Sequence, residues 1–442
     1  MSDTVVVAAV RTPVGKLGGA LSSLAATTLG GEAIRAAIER SGFEPEQIEH
    51  VIVGQVIQAG AGQAPHRQVS FIAGLPKTVT SETVNKVCAS GMLAIANAHR
   101  LIQTGAHQTI VAAGMESMSR APYLVPDARF GYKMGSGQLL DSMVHDGLWD
   151  SFFQVTMAEQ ADGVSAHLGI SRAQQDEFAL RSHQRAIAAF EKGNLADELV
   201  PLKVASKLRG KLVADAIPAP RVLVSTHNGE PSARITGETP ERFVAQAERY
   251  SPYVTDPATA HNVVDRDEAP RKDTSLEALA KLKPIVKGGN VTAGNAPGVN
   301  DGAAALVLTS SDHAASRGLK PLGRVLGHAT SAWDPPYLPL TPAMAAQKLL
   351  HEHGLSVKQI DLWEINEAFA AVTLSSAEKL GIDIDRVNVD GGAIAIGHPL
   401  GASGARIVTH LIHALRKRGG GLGVAAICSG GGQGDALLVE VR

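Results

Sequence analysis

Along most of the chain, short apolar runs alternate with longer segments whose apolar residues recur every three to four positions. Residues 5–10, VVVAAV, form a continuous apolar run of strand length, the pattern of a strand covered on both faces. Ile34 and Ile38 then fall on one face of a helix that Thr27 or Thr28 is placed to cap and Ser41-Gly42 to stop. Residues 51–53 predict another short strand. Met92, Ile95, Ala96, His99 and Ile102 share one side of a second helix ending before Gly105, and 109–113 read as strand again. Near the C-terminus, 404–416 and 423–427 repeat this order of helix and strand. Alternating elements of this kind predict an α/β fold with helices covering the sheets.

The chain also repeats itself. Gly42, Gln47 and Ile48 correspond to Gly354, Gln359 and Ile360 at an offset of 312 residues. Ala89-Ser90-Gly91 corresponds to Ala402-Ser403-Gly404, and Val111-Ala112-Ala113 to Val424-Ala425-Ala426, each at an offset of 313. Three matches in one order, with offsets agreeing within a residue, predict a duplicated unit. The expected organisation is an N-terminal half over 1–120, completed by about 298–320, and a C-terminal half over 321–442. Residues 121–297 do not repeat and are expected to sit over the core as a separate loop domain. Within it, 171–192 predicts an amphipathic helix with Ser171 as N-cap. Residues 205–261, rich in Pro, Ser, Thr and charge, predict a lid-like or surface excursion.

Composition narrows the function classes. Forty-one basic against 43 acidic residues leave a net charge of −2, with no global pull toward nucleic acid or an anionic membrane. Aromatic residues are only 4% while glycines number 46, so the core has to be built from small side chains in close contact. Two cysteines make no disulfide framework and point to a reducing compartment. No secretory signal and no run of 18 apolar residues is visible, and a cytoplasmic location is expected. Neither a phosphate-binding loop, a dinucleotide fingerprint nor a metal-ligand spacing is present in the sequence.

Candidate chemistry lies in four places. Cys88 stands before a predicted helix, where the dipole and free N–H groups are expected to lower its pKa and favour a thiolate nucleophile. A buried, inert thiol is the competing reading. His398 lies in the small-residue segment GGAIAIGHPLGASG at 391–404, at the position related by the repeat to Asn85, three residues before Cys88, with a satisfied structural histidine as the competing reading. Cys428 opens CSGGGQG, a glycine-rich turn suited to an oxyanion or simply to a tight turn between strands. Asn366, in NEAFA, is placed to hold a water or a substrate oxygen, or to cap a helix.

Taken together, these segments resemble the thiolase family. Residues 85–92 resemble its nucleophile motif, 366–370 its NEAFA motif, 391–406 its GGAIAxGHPxGASGAR motif and 428–434 its CxGGGxG motif. Residues 292–305, TAGNAPGVNDGAAA, resemble a fifth. The resemblance implies a duplicated, five-layered α/β/α/β/α fold with an inserted loop domain, and acyl transfer between coenzyme A thioesters. It implies Cys88 as the acyl-carrying nucleophile, His398 as its base and Cys428 as the proton shuttle to the α-carbon. Asn366, through a water, and His398 then form one oxyanion hole, and the backbone N–H groups of Cys88 and Gly430 the other. Leu148, Met157, Arg271, Ala293, Ala296 and Phe369 fall on coenzyme A positions, with Arg271 toward the nucleotide. Coenzyme A and acyl-CoA are substrates, and no cofactor or metal is implied.

This chain departs from the family pattern at Thr156, where relatives have His or Pro, at Ala158 for Gly and at Pro297 for the serine of GNASG. It departs again at LPLTP, 338–342, in place of an MGxGP-like segment. All four bear on the acyl pocket or the grip on coenzyme A. Loss of the His at 156 favours a broad 3-ketoacyl-CoA thiolase over an acetoacetyl-CoA-specific biosynthetic enzyme. A decarboxylating ketosynthase usually lacks the second cysteine, and a non-catalytic acyl-CoA-binding scaffold finds support only in the excursion and altered pocket. The family implies a homodimer. Residues 129–142 resemble a loop that pairs dimers into tetramers, and a fatty-acid oxidation complex is a compatible partner.

Overall fold

The structure, a computed structural model, describes residues 3–205, 222–227, 230–235 and 261–442. In chain order the principal elements begin with β1 (Thr4–Arg11), α1 (Ala26–Ser41), β2 (His50–Gly54), β3 (Thr80–Val84), α2 (Ser90–Gln103) and β4 (Thr109–Ser117). Next come α3 (Met157–His167), α4 (Arg172–Glu191), β5 (Asn300–Ser310), β6 (Gly323–Ala332) and α5 (Thr341–Glu352). The last are β7 (Leu362–Ile365), α6 (Ala370–Leu380), α7 (Leu400–Lys417), β8 (Gly421–Ser429) and β9 (Gln433–Val441).

The duplication is written into the strand pairing. One half runs β1-β5-β4-β2-β3, the other β6-β9-β8-β7, continued by a parallel bridge from Trp363 to Val387. Both halves use the same sequence of directions, two antiparallel pairings followed by parallel ones. Register agrees as well. Val53 faces Ala113 and Ile365 faces Ala426, so the sequence offsets of 312 and 313 are preserved across the ladder. The halves join where Thr4, Val5 and Val6 of β1 pair with Val325, Arg324 and Gly323 of β6.

Alternating strand residues then separate three apolar layers. Ile52, Ala112, Ala425 and Ile427 point into a central layer filled by α2 and α7. Val51, Val53 and Val111 face α1 on one outer side. Val424, Ala426 and Leu438 face the outer helices α5 and α6 on the other. This is the expected five-layered arrangement. The central helices carry the small residues that composition called for: a Cβ on Gly404 would collide with Met92 of the facing helix.

Local expectations fared unevenly. Ser171 caps α4 through a reciprocal hydrogen-bond pair with Gln174, and Gly42 ends α1 at φ 78°. The proposed cap of α1 was wrong. Thr27 and Thr28 are buried inside the helix, which begins after Ala25 with no side-chain cap. Burial of its first turn, Ala26–Leu29, stabilises this end of the helix by packing instead.

Residues 1–204 and 263–442 form one compact unit and 205–262 another. In the second, strands Val222–His227 and Glu230–Ile235 form an antiparallel hairpin. The lid-like excursion expected at 205–261 otherwise lies outside the described residues.

Candidate active site

The two central helices meet near their N-termini. A Cβ on Gly91 would stand 2.8 Å from both Gly401 O and Ala405 N, so backbone rests on backbone there and only glycine fits. Cys88 lies two residues before α2, and His398 two residues before α7. The pseudo-symmetric turns therefore deliver the two candidate residues to the same part of the central layer. The chain enters Cys88 through Val87 at φ 44°, a strained conformation for a β-branched side chain. Ser90 Oγ holds that turn, accepting from Lys86 N at 2.8 Å and donating to Val87 O at 2.6 Å.

Cys428 arrives from the other half. It sits at the end of β8, ahead of a hairpin turn in which Gly431 and Gly432 take φ values of 74° and 68°. A Cβ on Gly430 would lie 3.1 Å from Val87 Cγ2, so the glycine turn rests against the Cys88 loop. The Ser429 hydroxyl donates to Lys86 O, and Lys86 Nζ lies 2.8 Å from Asp435 Oδ2, tying the two loops together. Met157, Leu338, Ala368 and Val372 pack with Cys428, with Phe369 against them. Leu148 and Val87 pack against the cluster that contains Cys88.

Electrostatics correct the expectation for Cys88. Burial pushes its thiol up to about 12, and Glu116 adds to the effect, outweighing the pull of its own backbone N–H. The helix N-terminus does not win, because the side chain is 2% exposed and no cation is among the groups acting on it. Cys428 is likewise raised by burial and by the nearby Cys88. His398 moves the other way, down to about 3, through burial and the neighbouring Arg406. The resting pair is a neutral thiol and a neutral imidazole.

The imidazole is also fixed in one tautomer. Ser403 Oγ spends its single proton on Pro399 O at 2.9 Å and lies 2.6 Å from His398 Nδ1. Nδ1 must then be the protonated nitrogen, which leaves Nε2 with a lone pair. Nε2 is buried with no hydrogen-bond partner among the described residues. Asn300 places the residue by accepting from His398 N at 2.9 Å while donating to Gly15 O at 2.9 Å.

Asn366 is not a helix cap; that position belongs to Phe369. Its side chain is 1% exposed, Oδ1 accepts from Arg406 Nη2 at 3.4 Å, and Nδ2 has no partner among the described residues. Glu367, beside it, accepts from Ser182, Asn388 and Ile394 N and so holds the 391–394 turn. Glu116, pushed up to about 7 by burial, accepts from Val56 N, Ile57 N and Gly401 N, joining the two halves under the site.

The remaining candidates divide. Leu148, Met157 and Phe369 line the thiol region, and Ala296 packs with Ala161 and Phe369 next to it. Arg271 and Ala293 lie on the surface, and Arg271 N donates to His183 Nδ1 at 3.2 Å. Thr156, at the family's His or Pro position, caps α3 in a reciprocal pair with Glu159, so its hydroxyl is engaged. Sequence reasoning missed the parts played by Ser403, Arg406, Asn300 and Glu116. The first three stand inside quoted motifs, Ser403 five residues beyond His398, where a polar residue in the first turn of the following helix is a readable partner. Glu116 carried no local signal.

Comparison with known proteins identifies the family and agrees with the fold. The family description "Thiolase, N-terminal domain" matches residues 4–225 and 251–312, and "Thiolase, C-terminal domain" matches 319–441. The chain belongs to the thiolase family. An acetyl-CoA acetyltransferase of Pseudomonas aeruginosa is 42% identical to this thiolase over 440 residues, 99% of each chain. One from Escherichia coli is 41% identical over 442 residues, covering 100% of this chain and 99% of its own. Among solved structures, an acetyl-CoA acetyltransferase of Bacillus anthracis superposes with a TM-score of 0.86 at 37% identity, covering 100% of this chain and 99% of its own. A thiolase of Ascaris suum in complex with coenzyme A gives 0.83 at 36% identity over 100% of both chains. The thiolase is an acyltransferase of the coenzyme A-dependent class. Among the described residues no helix is long and apolar enough to cross a membrane.

Proposed function

We propose that this thiolase cleaves 3-ketoacyl-CoA to acetyl-CoA and a shortened acyl-CoA, and catalyses the reverse condensation, through an acyl thioester on Cys88. The observation that carries the proposal is the neutral His398, held as one tautomer with Nε2 unpartnered among the described residues. It stands on the turn into the helix that packs against the Cys88 helix, and Cys428 is near enough to Cys88 to be acted on by it.

The chemistry follows from these groups. The Cys88 proton passes to His398 Nε2 as the sulfur adds to the C3 carbonyl of the substrate. The resulting alkoxide is matched by one set of donors, and collapse breaks the C2–C3 bond. The electron pair leaves as the acetyl-CoA enolate, whose α-carbon takes the Cys428 proton. Coenzyme A then enters, gives its proton to the Cys428 thiolate, and attacks the acyl-cysteine. Cys88 leaves and recovers its proton from His398, so every group ends as it began. Asn366 through a water with His398, and the N–H groups of Cys88 and Gly430, are the two donor sets. Burial keeps the resting thiol neutral, so in this sequence the thiolate is generated only as it reacts.

For acyl length we favour substrates beyond acetoacetyl-CoA. A groove of about 470 Å³ lies along α3 and the 335–340 turn, lined by Phe153, Val155, Val164, Pro336 and Tyr337. Its walls belong to the elements that carry Met157 and Leu338 to Cys428. The acetoacetyl-CoA-specific reading has its support in the relatives' names. Gly163 lines the groove and has open space around its Cβ position, so Gly163→Trp should block long chains selectively while sparing acetoacetyl-CoA.

We extend the proposal to a homodimer, and to pairing of dimers through 129–142, where Phe130, Met134 and Leu139 are exposed. Sedimentation of the purified chain tests both. The decisive functional test is thiolysis of acetoacetyl-CoA and of a long-chain 3-ketoacyl-CoA, with Cys88→Ala as control and a labelled acyl-CoA to trap the intermediate. Label on Cys88 with turnover of the long chain is the expected result. Turnover of acetoacetyl-CoA alone returns the protein to the biosynthetic type, and neither turnover nor label overturns the proposal.

A further inference from the structure

We propose that Arg406 is a positioning residue of this reaction, a buried cation that fixes Asn366 through Oδ1 and supports the charge that develops on the acetyl-CoA enolate oxygen. The inference rests on the roles of Cys88, His398 and Asn366 given above.

Three observations carry it. Arg406 is 2% exposed, yet its Nε has no hydrogen-bond partner among the described residues. A guanidinium left partly unsatisfied in the interior is costly, and a fold that keeps one is using its charge or its shape. Second, the contact it does make is with a residue of the site: Nη2 donates to Asn366 Oδ1 at 3.4 Å. An amide whose oxygen is engaged must present its nitrogen in the opposite direction, and Asn366 Nδ2 is the buried donor without a partner among the described residues. Third, α7 places three groups along one stripe. Ser403 holds His398, Arg406 holds Asn366 and His410 lies 2.9 Å from Glu198, at spacings of three and four residues.

Carboxylates and a second guanidinium surround this charge. Burial disfavours the charge on Arg406 and Arg11 opposes it, while Glu364, Glu367 and Glu198 favour it through space. Glu367 has both oxygens engaged by Ser182, Asn388 and Ile394 N. Glu364 is itself raised to about 7 by burial, so it is only partly ionised near neutrality. Among the described residues Arg406 is the charged group that acts on His398, so its positive charge is felt at the Asn366–His398 pair, where an enolate oxygen accumulates negative charge. The same cation, with burial, disfavours protonation of His398 and so keeps its Nε2 unprotonated at rest.

The test uses Arg406→Met and Arg406→Lys, each alone and with Asn366→Ala, in the full chain. Arg406→Met should lower kcat about 100-fold with little change in KM, the size of losing one oriented oxyanion donor. The acid limb of its kcat profile should move to higher pH, because His398 loses a neighbouring cation. Arg406→Lys should restore the acid limb but only part of kcat, since an ammonium cannot present the guanidinium fork. In the Asn366→Ala background the Arg406→Met loss should shrink to a fewfold. A merely structural role would move stability without moving the acid limb. Wild-type kcat in Arg406→Met, an unmoved acid limb, or an equal loss with and without Asn366 overturns the inference. Should Arg406→Met fail to fold, wild-type kcat in Arg406→Lys overturns it instead. Labelling of wild-type Cys88 by acyl-CoA is followed in parallel. If that labelling is missing, the acyl-cysteine reading fails and takes this inference with it; if it is present, failure concerns Arg406 alone.

Discussion

Ser403→Ala isolates the claim that one tautomer of His398 is locked. The hydroxyl removed is fully buried and accepts from His398 Nδ1–H at 2.6 Å. Without it, the Nδ1–H is left unpaired on a side chain only 6% exposed, at a cost of about 1–3 kcal/mol. The ring relieves that cost by moving its proton to Nε2, the atom that has to receive the Cys88 proton. The productive form is then reduced by the same free energy, which at 1.36 kcal/mol per decade is roughly 5- to 150-fold in rate. The assay is rapid-quench acetylation of Cys88 by acetyl-CoA, read by mass spectrometry, with thermal unfolding to confirm an intact fold. Nitrogen-15 NMR of the imidazole reads the tautomer directly. An acetylation rate within twofold of wild type in a folded variant refutes the reasoning.

Three further outcomes follow from the same structure. Alkylation of Cys88 by iodoacetamide, scored against Cys88→Ala, should climb steadily from pH 7 to pH 10, because burial raises the thiol to about 12; a plateau starting near pH 6 would instead reveal a preformed thiolate–imidazolium pair. His410 is raised from 6.5 to about 9, Glu198 and Glu364 overcoming the opposing effect of burial. Its folded pKa exceeds its unfolded one, so its stabilisation is complete below pH 6.5 and is lost as pH rises through about 9. Urea unfolding from pH 7 to pH 9 should show falling stability, and His410→Gln should flatten that slope. Gly91→Ala places a methyl 2.8 Å from backbone atoms of α7 and should cost about 1–3 kcal/mol in denaturant unfolding. An unchanged midpoint would mean that the central helices are not in the close contact described.

Much of the architecture was legible before any coordinates. Strand and helix periods depend on local side-chain direction, so β1, α4 and the paired elements of the two halves could be read from apolar spacing alone. The duplication was legible because register is inherited with the repeat: Val53 opposite Ala113 reappears as Ile365 opposite Ala426. Abundant glycine and scarce aromatics foretold a closely packed centre, and Gly91, Gly401 and Gly404 show where it is needed. Helix caps were readable where side chain and backbone are neighbours, as at Ser171, but not at Thr27 and Thr28, which tertiary packing buried.

What only the folded chain decided is electrostatic. A thiol before a helix reads locally as activated, whereas in three dimensions burial raises it, because desolvation depends on everything that covers the sulfur. The lone pair on His398 Nε2 depends on Ser403, five residues away, and on the turn that brings Pro399 O to that hydroxyl. Arg406 reaches Asn366 across 40 residues of chain, and Glu116 reaches Gly401 across 285. Periodicity is a short-range property that a sequence states directly; burial, charge and tautomer are set by distances in space that no local pattern records.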